Sequence, residues 1–303
     1  MVVAATGFFD GVHLGHRKVL SELCAVAARE DKKSAVITFW PHPRSVLQQQ
    51  AYDLRLLNSL EEKKELIREI GVNEVITLPF SKEFSKLSSE EFLRDFLKGK
   101  YGVSTLVIGY DHRLGHDVSR SQGEMIEAAG KMGIRIVRVE EFIMDGSIIS
   151  STKIRRLLSV GDITEANKFL GYRYGLRGVV VSGQKIGRLM GFPTANMDLY
   201  DPLKVIPSNG VYAVYAQVAD KVYTGICNIG VRPTVSDNNR KTIETHILDF
   251  DEDIYGLDLK IEFVAKAREE MKFASVDLLK AQVEKDKEFA RELLGGHPVK
   301  TLR

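Results

Sequence analysis

The chain has 303 residues, 44% hydrophobic and 28% charged, with a formal net charge of +2. That length favours two cores over one, and so small a charge, spread along the chain, excludes the strong field of a nucleic-acid or anionic-membrane binder. No apolar run approaches the ~20 residues that span a bilayer, and the apolar start "MVVAATGFFDG" meets Asp10 too early for a secretion signal.

The first half alternates two periods. Strand-like runs are "VVAAT" (2–6), "SAVITF" (34–39), "EVITLPF" (74–80), "TLVIGY" (105–110) and "RIVRVEEF" (135–142). Helical patterns lie between several of them, at 16–32, 58–71 and 88–100, and Ser88 with Glu91 has capping-box spacing. β-Branched strands alternating with helices predict a parallel sheet covered on both faces. Ligands of such sheets bind at the carboxyl ends of the strands. The loops there are "GFFDGVHLGH", "WPHPRSVL" and "GYDHRLGHDVSR", rich in His, Asp and Arg. "STKIRRLLSVGDITEANKFLG" (151–171) then reads as two short helices split by Gly161.

After about residue 172 the runs shorten and are separated by Gly, Asn, Asp and Pro, the pattern of a small antiparallel barrel. Asn209-Gly210 and 219–221 read as turns. The end, 275–296, is an amphipathic helix with Gly295 and Gly296 as its stop. The two cysteines, Cys24 and Cys227, lie far apart inside apolar stretches, so buried reduced thiols and a cytoplasmic location are expected.

Three stretches carry candidate chemistry. In "GFFDGVHLGHRKVL" (7–20), His13 and His16 stand where a strand meets a helix. Metal binding, phosphate binding and a structural role are all open there. A catalytic zinc site would need a third protein ligand, and none is evident nearby. Gly7, Gly11 and Gly15 allow close backbone approach, and a following helix would aim free N–H groups at an anion such as phosphate. Asp10 either orients a nucleotide or metal or closes an Asx turn before Gly11. "SGQKIGRLMGFPTANMDL" (182–199) carries Gly183, Lys185, Gly187, Arg188 and Gly191 but lacks the Gly-Lys-Ser/Thr of a Walker loop. Its backbone could still surround phosphate, and Thr194 and Asn196, two apart, offer neutral oxygens on one face that suit Mg²⁺. In "TIETHILDFDEDIYG" (242–256), Glu244 and His246 share a strand face. An isolated glutamate in a barrel strand is by itself a solvated surface group.

"GFFDGVHLGH" resembles the His-x-Gly-His signature of the bacterial nucleotidyltransferase superfamily, and "IISSTKIRRLL" (148–158) resembles its second signature. "FWPHPRSVL" narrows the likeness to bifunctional riboflavin kinase/FAD synthetases, and "GFPTAN", "GVYAVYA", "NIGVRPT", "ETHILDF" and "REEMKFAS" follow in family order. The resemblance implies an α/β plus β chain: a doubly wound, Rossmann-like FMN adenylyltransferase domain over 1–158, a helical linker over 159–172, and a riboflavin kinase barrel with a C-terminal helix over 173–303. It implies ATP-dependent phosphorylation of riboflavin to FMN, then adenylylation of FMN to FAD with release of pyrophosphate, both with Mg²⁺. In the first site His13 and His16 would stabilise phosphate charge, with Gly7, Phe9, Asp10, Gly11, Ser151, Thr152, Lys153 and Arg155 around the nucleotide and His42 and Asp111 toward the flavin. In the second, Glu244 would be the general base, Thr194 and Asn196 would bind Mg²⁺, and Gly183, Lys185, Gly187, Arg188 and Gly191 would surround ATP. Arg268, with 271–273, would lie at the flavin end or else form a barrel-to-helix transition that packs Phe273.

One departure stands out. The family's Asp-Phe-x-Phe-Gly loop is here "DHRLGH" (111–116), which keeps Asp111 and Gly115 but replaces both aromatics. It raises a second reading, a kinase whose first domain has lost adenylylation. A third, a flavin-binding module without turnover, has no use for a base or a phosphate-neutralising pair. The expected partners are the small molecules themselves, with no nucleic acid or membrane; self-association is left open.

Overall fold

The structure is a computed structural model that describes residues 1–47, 54–110, 115, 122–183, 187, 190–231 and 241–295. The chain divides into two compact units, Met1–Ser151 and Thr152–Arg303.

The first unit is a five-stranded parallel sheet: β1 (Val2–Thr6), β2 (Lys33–Trp40), β3 (Glu74–Pro79), β4 (Val103–Ile108) and β5 (Arg135–Arg138), in the order β3-β2-β1-β4-β5. Alternation along β1 explains why both faces are buried. Val3 and Ala5 join one apolar cluster with Leu20, Leu23 and Val26 of the helix Leu14–Arg29 and Ile67 of the helix Leu60–Glu69. Ala4 joins the other with Phe92, Leu97, Met125 and Ala129. The strand order reverses between β1 and β4, so the crevice outside their carboxyl ends is where this topology places a ligand. The loop after β1 carries His13 and His16.

Two segments of this unit differ from expectation. The fifth strand stops at Arg138 rather than running to 142, and a small hairpin, β6 (Ile143–Met144) with β7 (Ser147–Ile148), follows. The segment 88–100 starts as a helix with the expected Ser88–Glu91 capping box but widens to π pitch over Phe92–Lys100, closed by Tyr101 N–H donating to the Phe96 carbonyl at 3.0 Å. The wider turn leaves Phe92, Leu93 and Leu97 all buried.

The helix Ser151–Val160, whose first residue closes the first unit, and the helix Ile163–Leu170 begin the second unit, parted at Gly161 as expected. A closed six-stranded antiparallel barrel follows: β8 (Gly175–Val181), β9 (Ala195–Leu199), β10 (Gly210–Val218), β11 (Lys221–Val231), β12 (Lys241–Ile247) and β13 (Asp258–Arg268), in the order β10-β11-β12-β9-β8-β13. Ala219 and Asp220 turn β10 into β11, with Ala219 at φ 50°. The last helix, Val276–Leu294, is capped by Ser275, ends at Gly295, and buries Ala290 and Leu294 against Val211, Ala213 and Tyr215 of the barrel. Among the described residues no helix is long and apolar enough to cross a membrane. Both cysteines are free: Cys227 is fully buried and Cys24 half-buried, and burial raises both thiol pKa values, Cys227 to about 12.

Candidate active sites

In the first unit the chain turns from β1 into its helix through left-handed backbone. Phe9 (φ 49°), Gly11 (φ 85°) and Val12 (φ 36°) all adopt it, and for a β-branched residue such as Val12 that is a strained conformation of the kind found at ligand sites. Asp10 is buried among them. Its Oδ1 accepts the backbone N–H of Leu57 at 2.9 Å and of Asn58 at 3.4 Å, and its carbonyl accepts the Ser151 hydroxyl at 2.8 Å. The carboxylate therefore fastens the 57–58 segment to the loop.

His13 is the N-cap of the helix, and its Nδ1 accepts the His16 N–H at 3.3 Å. The two rings stack with centroids 3.6 Å apart, and Phe9 meets His16 edge-on at 5.3 Å. Gly15 is what lets them stack: a Cβ there would lie 3.2 Å from the His13 ring. Stacked rings send their lone pairs out side by side rather than toward one point, which is not how a chelating pair is arranged. Burial holds His13 down to about 4 and His16 well below its usual value, the latter also through the charges of His13 and Lys63. At neutral pH the pair is therefore uncharged. Because His13 Nδ1 is an acceptor, its proton sits on Nε2, a donor free for a ligand. His16 Nδ1 is buried with no hydrogen-bond partner.

Gly7 leaves space for the Phe9 ring, 3.1 Å from where a Cβ would be. His42 follows a cis Trp40–Pro41 bond, packs on Phe8 at 5.2 Å, and accepts the Arg44 N–H on Nδ1 at 3.2 Å. Thr152, Lys153 and Arg155 fall in the second unit; there the Lys153 ammonium lies over the Phe169 ring at 4.5 Å, and Arg155 donates to the Thr152 hydroxyl at 3.4 Å. Asp111 lies outside the described residues. A residue not anticipated is Lys63, a buried lysine 5.8 Å from the Trp40 ring centroid. Its signal was in the sequence: Leu60, Lys63, Ile67 and Ile70 form one helical stripe, and a lysine occupies an apolar position.

In the second unit β12 pairs with β9 so that Glu244 stands opposite Asn196, and the Thr194 hydroxyl lies 3.4 Å from Glu244 Oε2. His246 Nδ1 sits 2.8 Å from the Pro193 carbonyl and fixes the turn that carries Thr194. Gly183 makes this arrangement possible, since a Cβ there would come within 2.4 Å of the Asn196 carboxamide. A cavity of about 280 Å³ adjoins, walled by Gly183, Thr194, Asn196, Thr245, Asp251 and Tyr255 among others. Thr194, Asn196 and Thr245 line the cavity, and the Thr194 hydroxyl links that wall to the Glu244 carboxylate. The cavity's acidic rim at 251–253 was not anticipated. Gly187 comes close to the Phe192 carbonyl, 2.5 Å from a Cβ position, and Gly191 is left-handed at φ 88°. Lys185 and Arg188 lie outside the described residues. Arg268 grips the buried Asp286 carboxylate at 2.8–3.1 Å and lies 5.7 Å from the half-buried Phe273 ring, tying barrel to terminal helix.

The Thr194 hydroxyl and the Asn196 carboxamide, which Gly183 leaves room for, beside the Glu244 carboxylate fit Mg²⁺, which takes few protein oxygens and leaves room for phosphate and water. Among the described residues no cluster of three His, Cys, Asp or Glu side chains gathers elsewhere to hold a metal.

Comparison with known proteins agrees with this division. The family described as FAD synthetase matches residues 1–153, and the family described as Riboflavin kinase matches 170–294. A bifunctional riboflavin kinase/FMN adenylyltransferase of Listeria monocytogenes is 38% identical over 95% of this chain and 91% of its own length. The enzyme of the same description from Escherichia coli K12 is 36% identical over 97% and 93%. A crystal structure from Streptococcus pneumoniae, described as a macrolide-efflux protein, is 31% identical with a TM-score of 0.89 over 96% of this chain and 93% of that one. Matched in both halves and along nearly its whole length, the chain belongs to the bifunctional riboflavin kinase/FMN adenylyltransferase family.

Proposed function

We propose that the barrel unit phosphorylates riboflavin and the α/β unit adenylylates the FMN so formed, with the residues above in stated roles. In the barrel, Glu244 takes the proton of the riboflavin 5′-hydroxyl as that oxygen bonds to the γ-phosphorus of ATP and ADP departs. Thr194, hydrogen-bonded to the carboxylate and shared with the cavity wall, sets the base against the phosphate donor. Thr194 and Asn196 would hold Mg²⁺, which supplies neutralisation of the nucleotide phosphates.

In the α/β unit an ionised FMN phosphate oxygen attacks the α-phosphorus of a second ATP, and pyrophosphate leaves. No general base is needed. What the site must do is hold the reactants in line and meet charge on the departing oxygens. The stacked His13–His16 pair at the helix N-terminus, beside the left-handed turn, is the observation that supports this reading. Two neutral imidazoles donate N–H groups without the repulsion that two adjacent imidazolium ions would suffer.

The test is to incubate the protein with riboflavin, ATP and Mg²⁺ and separate FMN from FAD by chromatography, alongside His16→Ala. The expected result is both products from the parent, and FMN with FAD formation reduced ~10²-fold from the variant, the scale of one lost electrostatic donor. FMN alone from the parent would favour a kinase without adenylylation. Neither product would favour a flavin-binding module.

A further inference from the structure

The unexplained group in the first unit is Lys63. The residue is 4% exposed, and an ammonium carries three donors. Among the described residues no hydrogen bond and no ion pair reaches it; the face of Trp40 at 5.8 Å is its one specific contact. Burying a cation this way is costly unless a counter-charge arrives. Burial pushes the ammonium down to about 8, and the field of Asp10 partly restores it, so it remains mostly charged at neutral pH.

The surroundings say where the counter-charge comes from. Asp10 fastens residues 57 and 58, and Ser59 caps the helix that begins one residue later and carries Lys63 in its first turns. The same Asp10 sits in the left-handed turn between β1 and His13. Helix and phosphate loop are thus held as one piece. The charge of Lys63 is felt by His16 and helps keep that imidazole neutral. The site therefore combines a neutral donor pair with one buried cation that, among the described residues, has no hydrogen-bond or ion-pair partner and feels the Asp10 carboxylate only through its field.

We infer that Lys63 is the built-in counter-cation for ligand phosphate in this site, and that the ligand group is the polyphosphate of the nucleotide. This rests on the loop 7–16 being the phosphate site. Lys63 would draw the negative charge of the triphosphate inward, and the departing pyrophosphate would leave its charge beside a fixed ammonium in a water-poor setting, where such a contact is strongest.

A structural lysine and a counter-cation respond oppositely to removal. Replacing Lys63 by Met keeps the stem and the apolar stripe but removes the charge. Thermal melting, with circular dichroism as the check on folding, is followed without ligand, with inorganic pyrophosphate and with FMN, for the parent, Lys63→Met, Lys63→Arg and His16→Ala. The expected result for Lys63→Met is a melting temperature no lower than the parent's, loss of the pyrophosphate-induced rise, a retained FMN response, and FAD formation from FMN reduced by ~10²-fold. Lys63→Arg, which keeps the charge, should regain part of the pyrophosphate response.

If Lys63→Met melts below the parent yet keeps the pyrophosphate response, Lys63 is a packing residue and the inference is overturned. If the FMN response alone disappears, the assignment to nucleotide polyphosphate is overturned. Should Lys63→Met fail to fold, Lys63→Arg decides, since a charge-keeping variant without any pyrophosphate response also contradicts the inference. A full pyrophosphate response in His16→Ala would instead remove the loop reading on which all of this stands.

Discussion

Glu244 shows how much of a residue's role comes from its neighbours. On a barrel strand it would be an ordinary half-buried carboxylate. Register places it opposite Asn196, and the turn held by His246 brings the Thr194 hydroxyl to 3.4 Å from its Oε2. A hydroxyl such as the riboflavin 5′-OH is a poor nucleophile while it keeps its proton, and a carboxylate within hydrogen-bond reach removes that obstacle. Glu244→Gln preserves size and the bond to Thr194 but not basicity. Riboflavin phosphorylation should fall ~10²-fold or more, the range of general-base catalysis, while FMN supplied directly should still become FAD, because its phosphate is already ionised. Parallel assays started from riboflavin and from FMN decide it. A parent-like rate from riboflavin rules Glu244 out as the base, and joint failure of both reactions points to damage to the fold.

At the scale of elements, the strand–turn–helix of the first unit is built around one missing side chain. Gly15 is the second residue of the helix, where Ala has the better helix propensity. Its Cβ would lie 3.2 Å from the His13 ring, so the ring has to shift. Gly15→Ala should leave the melting temperature unchanged or raise it, yet slow FAD formation from FMN by ~10-fold or more, since small misplacements of catalytic groups are costly. An unchanged rate would mean that the ring stack is not the working geometry. This element was legible from sequence because it is contiguous: glycines, histidines and the helical period are read in one window. Lys63 was not. It is one lysine in a charged helix, and what marks it, burial against Trp40 and tethering through Asp10, depends on residues 23 and 53 positions away along the chain. The cavity rim at 251–253 escaped for the same reason, since an acidic turn reads as solvated until the barrel closes beside it.

For the whole molecule, the question is where the kinase unit begins. The composition changes near residue 172, and strands are easily told from the helices before them. Yet those helices share the barrel's core. Ile163, Ala166, Phe169 and Leu170 are buried, Asn167 donates to the Phe263 carbonyl at 2.8 Å and accepts the Tyr174 N–H at 2.7 Å, and the Leu158 carbonyl accepts the Ser208 N–H at 3.0 Å. Helix patterns do not reveal what they pack against, which is why 159–172 reads as a linker in sequence. A fragment of residues 152–303 should fold alone and phosphorylate riboflavin at close to the parent rate. A fragment of 171–303 keeps every barrel strand but loses five large buried apolar side chains, Ile154, Leu158, Ile163, Phe169 and Leu170, at roughly 1.5–3 kcal/mol each, comparable with the ~5–15 kcal/mol that typically holds a domain together. It should be largely unfolded by circular dichroism at 25 °C and inactive in the FMN assay. Equal stability of the two fragments would show that the helices contribute nothing to the barrel, and an unfolded 152–303 would show that the second unit depends on the first.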